Sequence, residues 1–157
     1  MKAAIDTSVL VAAHLATHPS HGEAMDWMNA VAAGRAEGMV TLHALAEVWS
    51  VLTKLPIHPR IDPASARMVV GEIATIAQVT ALTHAMYFQA LDRCVSQGAR
   101  SGAVFDALHL IAAERAGADV VLTLNEKDFV RLAHPTGPRI LAPHQEDART
   151  LLASLTR

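Results

Sequence analysis

Met1-Lys2-Ala3-Ala4-Ile5-Asp6-Thr7-Ser8-Val9-Leu10 decides how the rest of the chain is read. An apolar run stops abruptly at Asp6. Two hydroxyl residues follow, and then a helix-like apolar pattern through Val9, Leu10 and Ala13. This reads as a buried strand over residues 2–6 and a helix over 8–16, with Asp6, Thr7 or Ser8 able to cap it. A strand that delivers a carboxylate at its C-terminal end, at the mouth of a helix, has the geometry of a ligand site in an open α/β sheet. Asp6 is thus either a helix cap or a metal-binding carboxylate held at a strand end.

Outward from that stretch, helices and strands alternate. Ser20, with Glu23 three residues on, has capping-box spacing for a helix to about Ala33, whose inner face carries Ala24, Trp27, Met28 and Val31. Gly34 and Gly38 bracket a short loop before a strand at Met39-Val40-Thr41, and Thr41 can cap a helix from Leu42 to Lys54. Pro56 and Pro59 mark a loop; Pro63, behind Asp62, suits the first turn of a helix running to about Ile76. A strand at residues 78–82 follows, then a helix from His84 to Gln97 closed by Gly98, and a very apolar helix over 103–116 closed by Gly117. Residues 119–123 form a strand, 126–132 a short helix, 139–141 an edge strand, and the chain from Pro143 a last helix. This order predicts an α/β fold with a central, mostly parallel sheet and helices on both faces. No internal repeat or linker interrupts it, so residues 1–157 read as one domain.

The totals narrow the chemistry. With 157 residues the chain can bury a sizeable core. No stretch reaches the ~20 apolar residues of a membrane span, and no secretory signal pattern opens the chain, so a cytoplasmic location is expected. Cys94 is alone, which excludes an internal disulfide and a cysteine zinc site. A net charge of −2 argues against a general polyanion binder, so nucleic-acid contact needs a local basic patch; Lys54, Arg60, Arg93 and Arg100 are the candidate phosphate contacts. A hydrophobic content of 52% suggests apolar surface buried in a dimer or against a bound peptide. Gly-x-Gly-x-x-Gly and Gly-x-x-x-x-Gly-Lys are absent, no serine sits in a nucleophile elbow, and Ser8 stands where a dehalogenase-like phosphatase needs its second aspartate. His14, His18 and His21 have zinc-compatible spacing, but Pro19 interrupts them and they read as surface histidines.

Three acids stand out. Glu47 lies on a polar stripe with His43, Ser50 and Lys54: either a solvated face or the lining of a cleft. Asp106 stands near the start of a helix that is otherwise apolar all round. An ionised carboxylate there costs several kcal/mol unless paired, placed at the helix N-terminus or bound to a metal. His109, one turn on, is either a partner that supports the carboxylate or a core histidine, and reads more readily as the latter. The turn after the strand at 119–123 holds Asn125, Glu126 and Asp128. Oxygen-only ligands select a hard cation, Mg²⁺ or Mn²⁺, and such ions activate water for displacement at phosphorus. The reaction class is therefore phosphodiester hydrolysis.

Ile5-Asp6-Thr7-Ser8-Val9-Leu10, Ala46-Glu47-Val48, Phe105-Asp106-Ala107-Leu108-His109-Leu110 and Thr123-Leu124-Asn125-Glu126-Lys127-Asp128-Phe129, in that order, resemble the motifs of PIN-domain nucleases, and most nearly VapC-type toxin ribonucleases of toxin–antitoxin pairs. The resemblance covers nearly the whole chain. It implies a three-layer α/β/α sandwich, a Mg²⁺- or Mn²⁺-dependent endoribonuclease, a homodimer, and inhibition by a cognate antitoxin lying across the cleft. It makes Asp6, Glu47 and Asp106 the metal carboxylates, with Thr7, Ser8 and Thr123 as hydroxyls beside them. Asn125 departs from the pattern, since many members carry an acid there; Asp128 is the candidate to supply that charge, and the number of metals, one or two, stays open. A non-catalytic PIN-like protein that binds RNA or a partner is the alternative reading.

Overall fold

The computed structural model describes residues 1–155. Five strands form one sheet in the order β3-β2-β1-β4-β5, and every pairing is parallel. They are β1 (Lys2–Ile5), β2 (Glu37–Thr41), β3 (Gln78–Thr80), β4 (Val120–Leu122) and β5 (Arg139–Leu141). Short parallel strands covered on both faces read as unbroken apolar runs, and β1 and β4 show why: Ala3, Ala4, Ile5, Val120, Val121 and Leu122 are all buried.

Alternation along each strand divides the core. Ala3, Ile5, Val40, Val120 and Leu122 face one hydrophobic cluster; Ala4, Met39 and Val121 face the other. The first cluster is completed by α1 (Thr7–Ala13), α2 (His21–Ala32), α3 (Leu42–Lys54), α4 (Pro63–Ile76) and α8 (Glu146–Ser154). The second is completed by α5 (His84–Ser96), α6 (Ala103–Arg115) and α7 (Glu126–Leu132). The result is the expected α/β/α sandwich. Residues 107–113 of α6 are buried without a break, as its all-round apolar pattern requires. Among the described residues no helix is long and apolar enough to cross a membrane.

Most caps lie where the sequence places them. Thr41 accepts the Ala44 N–H at 3.0 Å and Asp62 accepts those of Ala64 and Ser65 at 2.9 and 3.0 Å. Gly98 and Gly117, both at positive φ, follow α5 and α6. Two local expectations fail. Ser20 does not cap α2: its backbone is not extended (φ −98°, ψ 18°), so its hydroxyl is not aimed at the helix amides, and Glu23 instead reaches Arg149 of α8 at 2.9 Å. Gly38 lies not at the end of a loop but inside β2, paired with Ala3 of β1, and α2 crosses it so closely that a Cβ there would sit 2.5 Å from Val31 Cγ1.

That contact makes a prediction. Gly38→Ala should destabilise the fold by about 1–3 kcal/mol in chemical denaturation. Combining it with Val31→Ala should cost less than the sum of the two single changes, because the pair shares one space.

Candidate active site

The strand order turns outward from β1, toward β2 on one side and β4 on the other. The crevice beyond the carboxyl ends of β1 and β4 is where such a sheet binds ligands, and Asp6 stands on its edge. The Asp6 N–H donates to Leu122 O at 2.9 Å, continuing the β1–β4 pairing by one residue. The backbone then turns into α1, and the carboxylate is left at the junction as the N-cap.

One oxygen of that carboxylate is saturated by the protein. Asp6 Oδ2 accepts from Ser8 Oγ at 2.6 Å, Thr123 Oγ1 at 3.0 Å and, more weakly, Ser8 N–H at 3.3 Å. The two hydroxyls are themselves held: Ser8 Oγ accepts the Leu124 N–H and Thr123 Oγ1 the Asn125 N–H, each at 3.0 Å. Asp6 Oδ1 faces the other way, 3.8 Å from His109 Nε2.

Glu47 enters the same crevice from α3. Its Oε2 accepts from Thr7 Oγ1 at 2.9 Å and from His109 Nε2 at 3.2 Å; its Oε1 lies 3.7 Å from His43 Nε2. His109, only 6% exposed, is bonded at both ends, since Nδ1 lies 3.3 Å from Thr41 Oγ1. It is a core histidine, as read from sequence, but it also clamps Glu47. Burial is the strongest single influence on it and pushes its pKa down; the Glu47 hydrogen bond and the charges of Asp6, Glu47 and Asp106 outweigh that, so the pKa rises. With Nε2–H donating to Glu47, Nδ1 can donate to the Thr41 hydroxyl or accept from it. For Glu47, burial raises the pKa, and the bonds from His109 and Thr7, with the His109 and His43 charges, bring it down overall.

Asp6, Thr7, Ser8, Glu47, Asp106 and Asn125 line one open cleft of about 510 Å³. Thr123 is buried beneath it, behind Asp6. Asn125 caps α7 without a side-chain cap bond and offers Nδ2 to Asp106 Oδ2 at a long 3.4 Å. Asp128 is exposed on α7 and is not among the lining residues; its negative charge still reaches Asp106. Lys54, Arg60 and Arg100 are exposed outside the lining. Arg93 departs from expectation: it is half-buried and locked bidentately on Glu114 of α6 at 2.7 and 2.8 Å, so its fork is committed within the fold and not offered to phosphate. The partner reading of His109 holds alongside the core one; the parts played by His43 and Thr41 in this network are not legible from the sequence.

The donor set suits a hard cation. It consists of carboxylate oxygens, one on Asp6 and one on Glu47 turned away from their strongest protein donors, and a third carboxyl, Asp106, that the protein leaves poorly satisfied. Among the described residues no group of three or more His, Cys, Asp or Glu side chains is arranged to hold a metal ion by itself. Mg²⁺ does not need one, because it keeps several waters and uses one or two carboxylates. The His14, His18 and His21 rings are occupied otherwise: each uses Nδ1 on nearby backbone.

Asp106 carries the strain of this arrangement. Burial first, then the Asp6 charge, push its pKa up to about 7, with the Asp128 and Glu47 charges adding to them against a partial offset from His109. A folded-state pKa above the usual carboxylate value means the native state binds the extra proton, so this group's contribution to stability falls as pH rises from about 4 to about 7. In EDTA at about pH 8, Asp106→Asn should therefore melt higher than the parent, by on the order of 1 kcal/mol after solvent screening is allowed for, and the gain should shrink at about pH 4. Thermal melts at the two pH values check it.

Comparison with known proteins agrees with this arrangement. The family model described as PIN domain matches residues 3–135. Ribonuclease VapC40 of Mycobacterium tuberculosis is 34% identical over 116 residues, covering 74% of this chain and 81% of the relative. Ribonuclease VapC27 of the same species is 33% identical over 119 residues, covering 74% and 80%. Among solved structures, Mycobacterium tuberculosis VapC20, described as a sarcin–ricin loop cleaving toxin, superimposes with a TM-score of 0.67 at 20% identity over 87% of this chain and 99% of that one. VapBC-1 from nontypeable Haemophilus influenzae gives 0.60 at 15% identity over 92% and 100%. With a family match spanning most of its length and relatives above 30% identity, this chain belongs to the PIN domain family.

Proposed function

We infer that this chain, read as a single domain over residues 1–157, is a metal-dependent endoribonuclease and the toxin of a toxin–antitoxin pair, using Mg²⁺ or Mn²⁺. The observation that carries this is the half-satisfied carboxylate set: Asp6 and Glu47 each have one oxygen tied to hydroxyl or imidazole donors, and Asp106 is pushed up to about 7 beside them. Relatives named ribonuclease support the substrate class, and structures of VapBC complexes support a protein inhibitor.

Asp6, Glu47 and Asp106 are the residues that would hold the ion. Bound there, it supplies an activated water and neutralises charge on a phosphodiester undergoing in-line displacement. The protein's own part is orientation. Ser8 and Thr123 fix the plane of the Asp6 carboxylate, and Thr7 and His109 fix that of Glu47. Asp106 is the carboxylate whose charge the protein satisfies least, so it gains most from a cation. Asn125 brings a neutral amide to that side and favours one tightly held ion, with Asp128 as an outer acid. Lys54, Arg60 and Arg100 are left as backbone contacts outside the cleft. A homodimer would cover the exposed stripe on α5 formed by Tyr87, Phe88, Leu91 and Val95, which are 40–80% exposed.

Two tests follow. Asp6→Asn and Asp106→Asn should each lower RNA cleavage by at least ~100-fold with the fold intact by circular dichroism, and EDTA should stop the parent protein until Mn²⁺ or Mg²⁺ is restored. A variant that cuts at the parent rate, in a preparation free of other nucleases, refutes the assignment; RNA binding without metal-dependent cutting favours the non-catalytic reading. Separately, Phe88→Asp should shift the sedimentation coefficient from dimer to monomer, and a parent protein that is monomeric at micromolar concentration refutes the α5 interface.

A further inference from the structure

We propose that Phe105 is a stacking platform for one unpaired nucleobase beside the acid cluster, an assignment that rests on the ribonuclease reading. Phe105 immediately precedes Asp106, and its ring is 41% exposed although the helix behind it is buried from residue 107 to 113. The ring is not loose. It stacks on the His43 imidazole, with centroids 4.9 Å apart and planes 21° from parallel. His43 is held by enclosure, since its Nε2 is buried with no hydrogen-bond partner among the described residues and lies 3.7 Å from Glu47 Oε1. One side of the Phe105 ring is thus backed by a plane anchored at the carboxylates, and the ring lines the same cleft as Asp6, Glu47 and Asp106.

The charges around the cleft favour a base over other occupants. Among the described residues lining it there is no lysine or arginine, while three carboxylates are present. Arg93 is committed to Glu114. Strong phosphate contacts of the kind that dominate duplex binding are therefore missing where a chain would be cut. Affinity at that point must come from the ion and from apolar surface. The cleft supplies the latter: Val51 of α3, Leu55 just after that helix and Leu124 after β4 line it together with Phe105. Single-stranded RNA is bound in this way, with splayed bases stacked on aromatic rings. A ring fixed next to the metal-binding acids would hold the base flanking the scissile phosphate, and would set which sequences are cut.

The test is a cycle between ring and base. The full-length protein is given Mn²⁺ and a single-stranded RNA of mixed sequence, and the cut position is mapped. The same RNA is then made with an abasic ribose at each position flanking the cut. At one position the abasic ribose should raise KM about 5- to 100-fold for the parent protein. Phe105→Leu, which keeps apolar bulk without the aromatic face, should raise KM on the intact RNA by a similar factor, with kcat changed far less. The abasic ribose should then add nothing further to Phe105→Leu, and Phe105→Trp should restore the low KM. Thermal midpoints of both variants confirm folding, and the abasic series on the parent protein needs no variant. Penalties that multiply at every position, or a Phe105→Leu KM equal to the parent's, overturn the platform while leaving the ribonuclease reading standing. An unchanged KM with loss of a co-purifying protein partner assigns the ring to a protein contact instead. A parent protein that cuts no RNA overturns both readings.

Discussion

The short hydrogen bond from Ser8 Oγ to Asp6 Oδ2, at 2.6 Å, and the bond from Thr123 Oγ1 to the same oxygen tie together everything else in the cleft. They join the end of β1 to the end of β4 through side chains at the point where the backbone pairing stops. Each hydroxyl also takes a backbone N–H from the turn after β4. A charge-assisted bond of this kind is roughly twice as strong as a neutral one, and here it settles which carboxylate oxygen faces the cleft. The central strand, the start of α1 and the turn before α7 are held in one register by a single oxygen.

From that anchor the electrostatics follow. Asp6, Glu47 and Asp106 bring like charges into a partly water-excluded crevice, and the protein answers them unevenly. His109 serves Asp6 and Glu47 from below; Asp106 receives a long amide contact from Asn125 and a partial offset from the more distant His109 charge. A site that leaves one carboxyl so poorly balanced gives up stability locally, and a bound cation would recover it. Burial of apolar side chains on both faces of the sheet carries the fold independently of this cluster, which is how the protein tolerates the strain.

The fold was largely legible from residues alone. Buried parallel strands leave unbroken apolar runs, and Thr41 and Asp62 announce helix starts because a short oxygen side chain is what an exposed amide needs. Where local rules failed, a contact distant in sequence had overridden them. Ser20 had the spacing of a capping box, yet Glu23 found Arg149, 126 residues away. Gly38 looked like loop punctuation and is a close crossing of α2 over β2. Arg93 looked like a free surface cation and is the partner of Glu114.

The sequence by itself determined the layer architecture, the chain order of the acids and the family, because periodicity, caps and motif order are local properties that survive without coordinates. Only the tertiary structure decided which oxygens of Asp6 and Glu47 are tied down, that His109 reaches both of them, that no described lysine or arginine lines the cleft, and that Phe105 rests on His43. These are relations across as many as 117 residues. Spacing along a chain cannot encode the direction of a side chain, which is settled by what packs against it from the other side of the sheet.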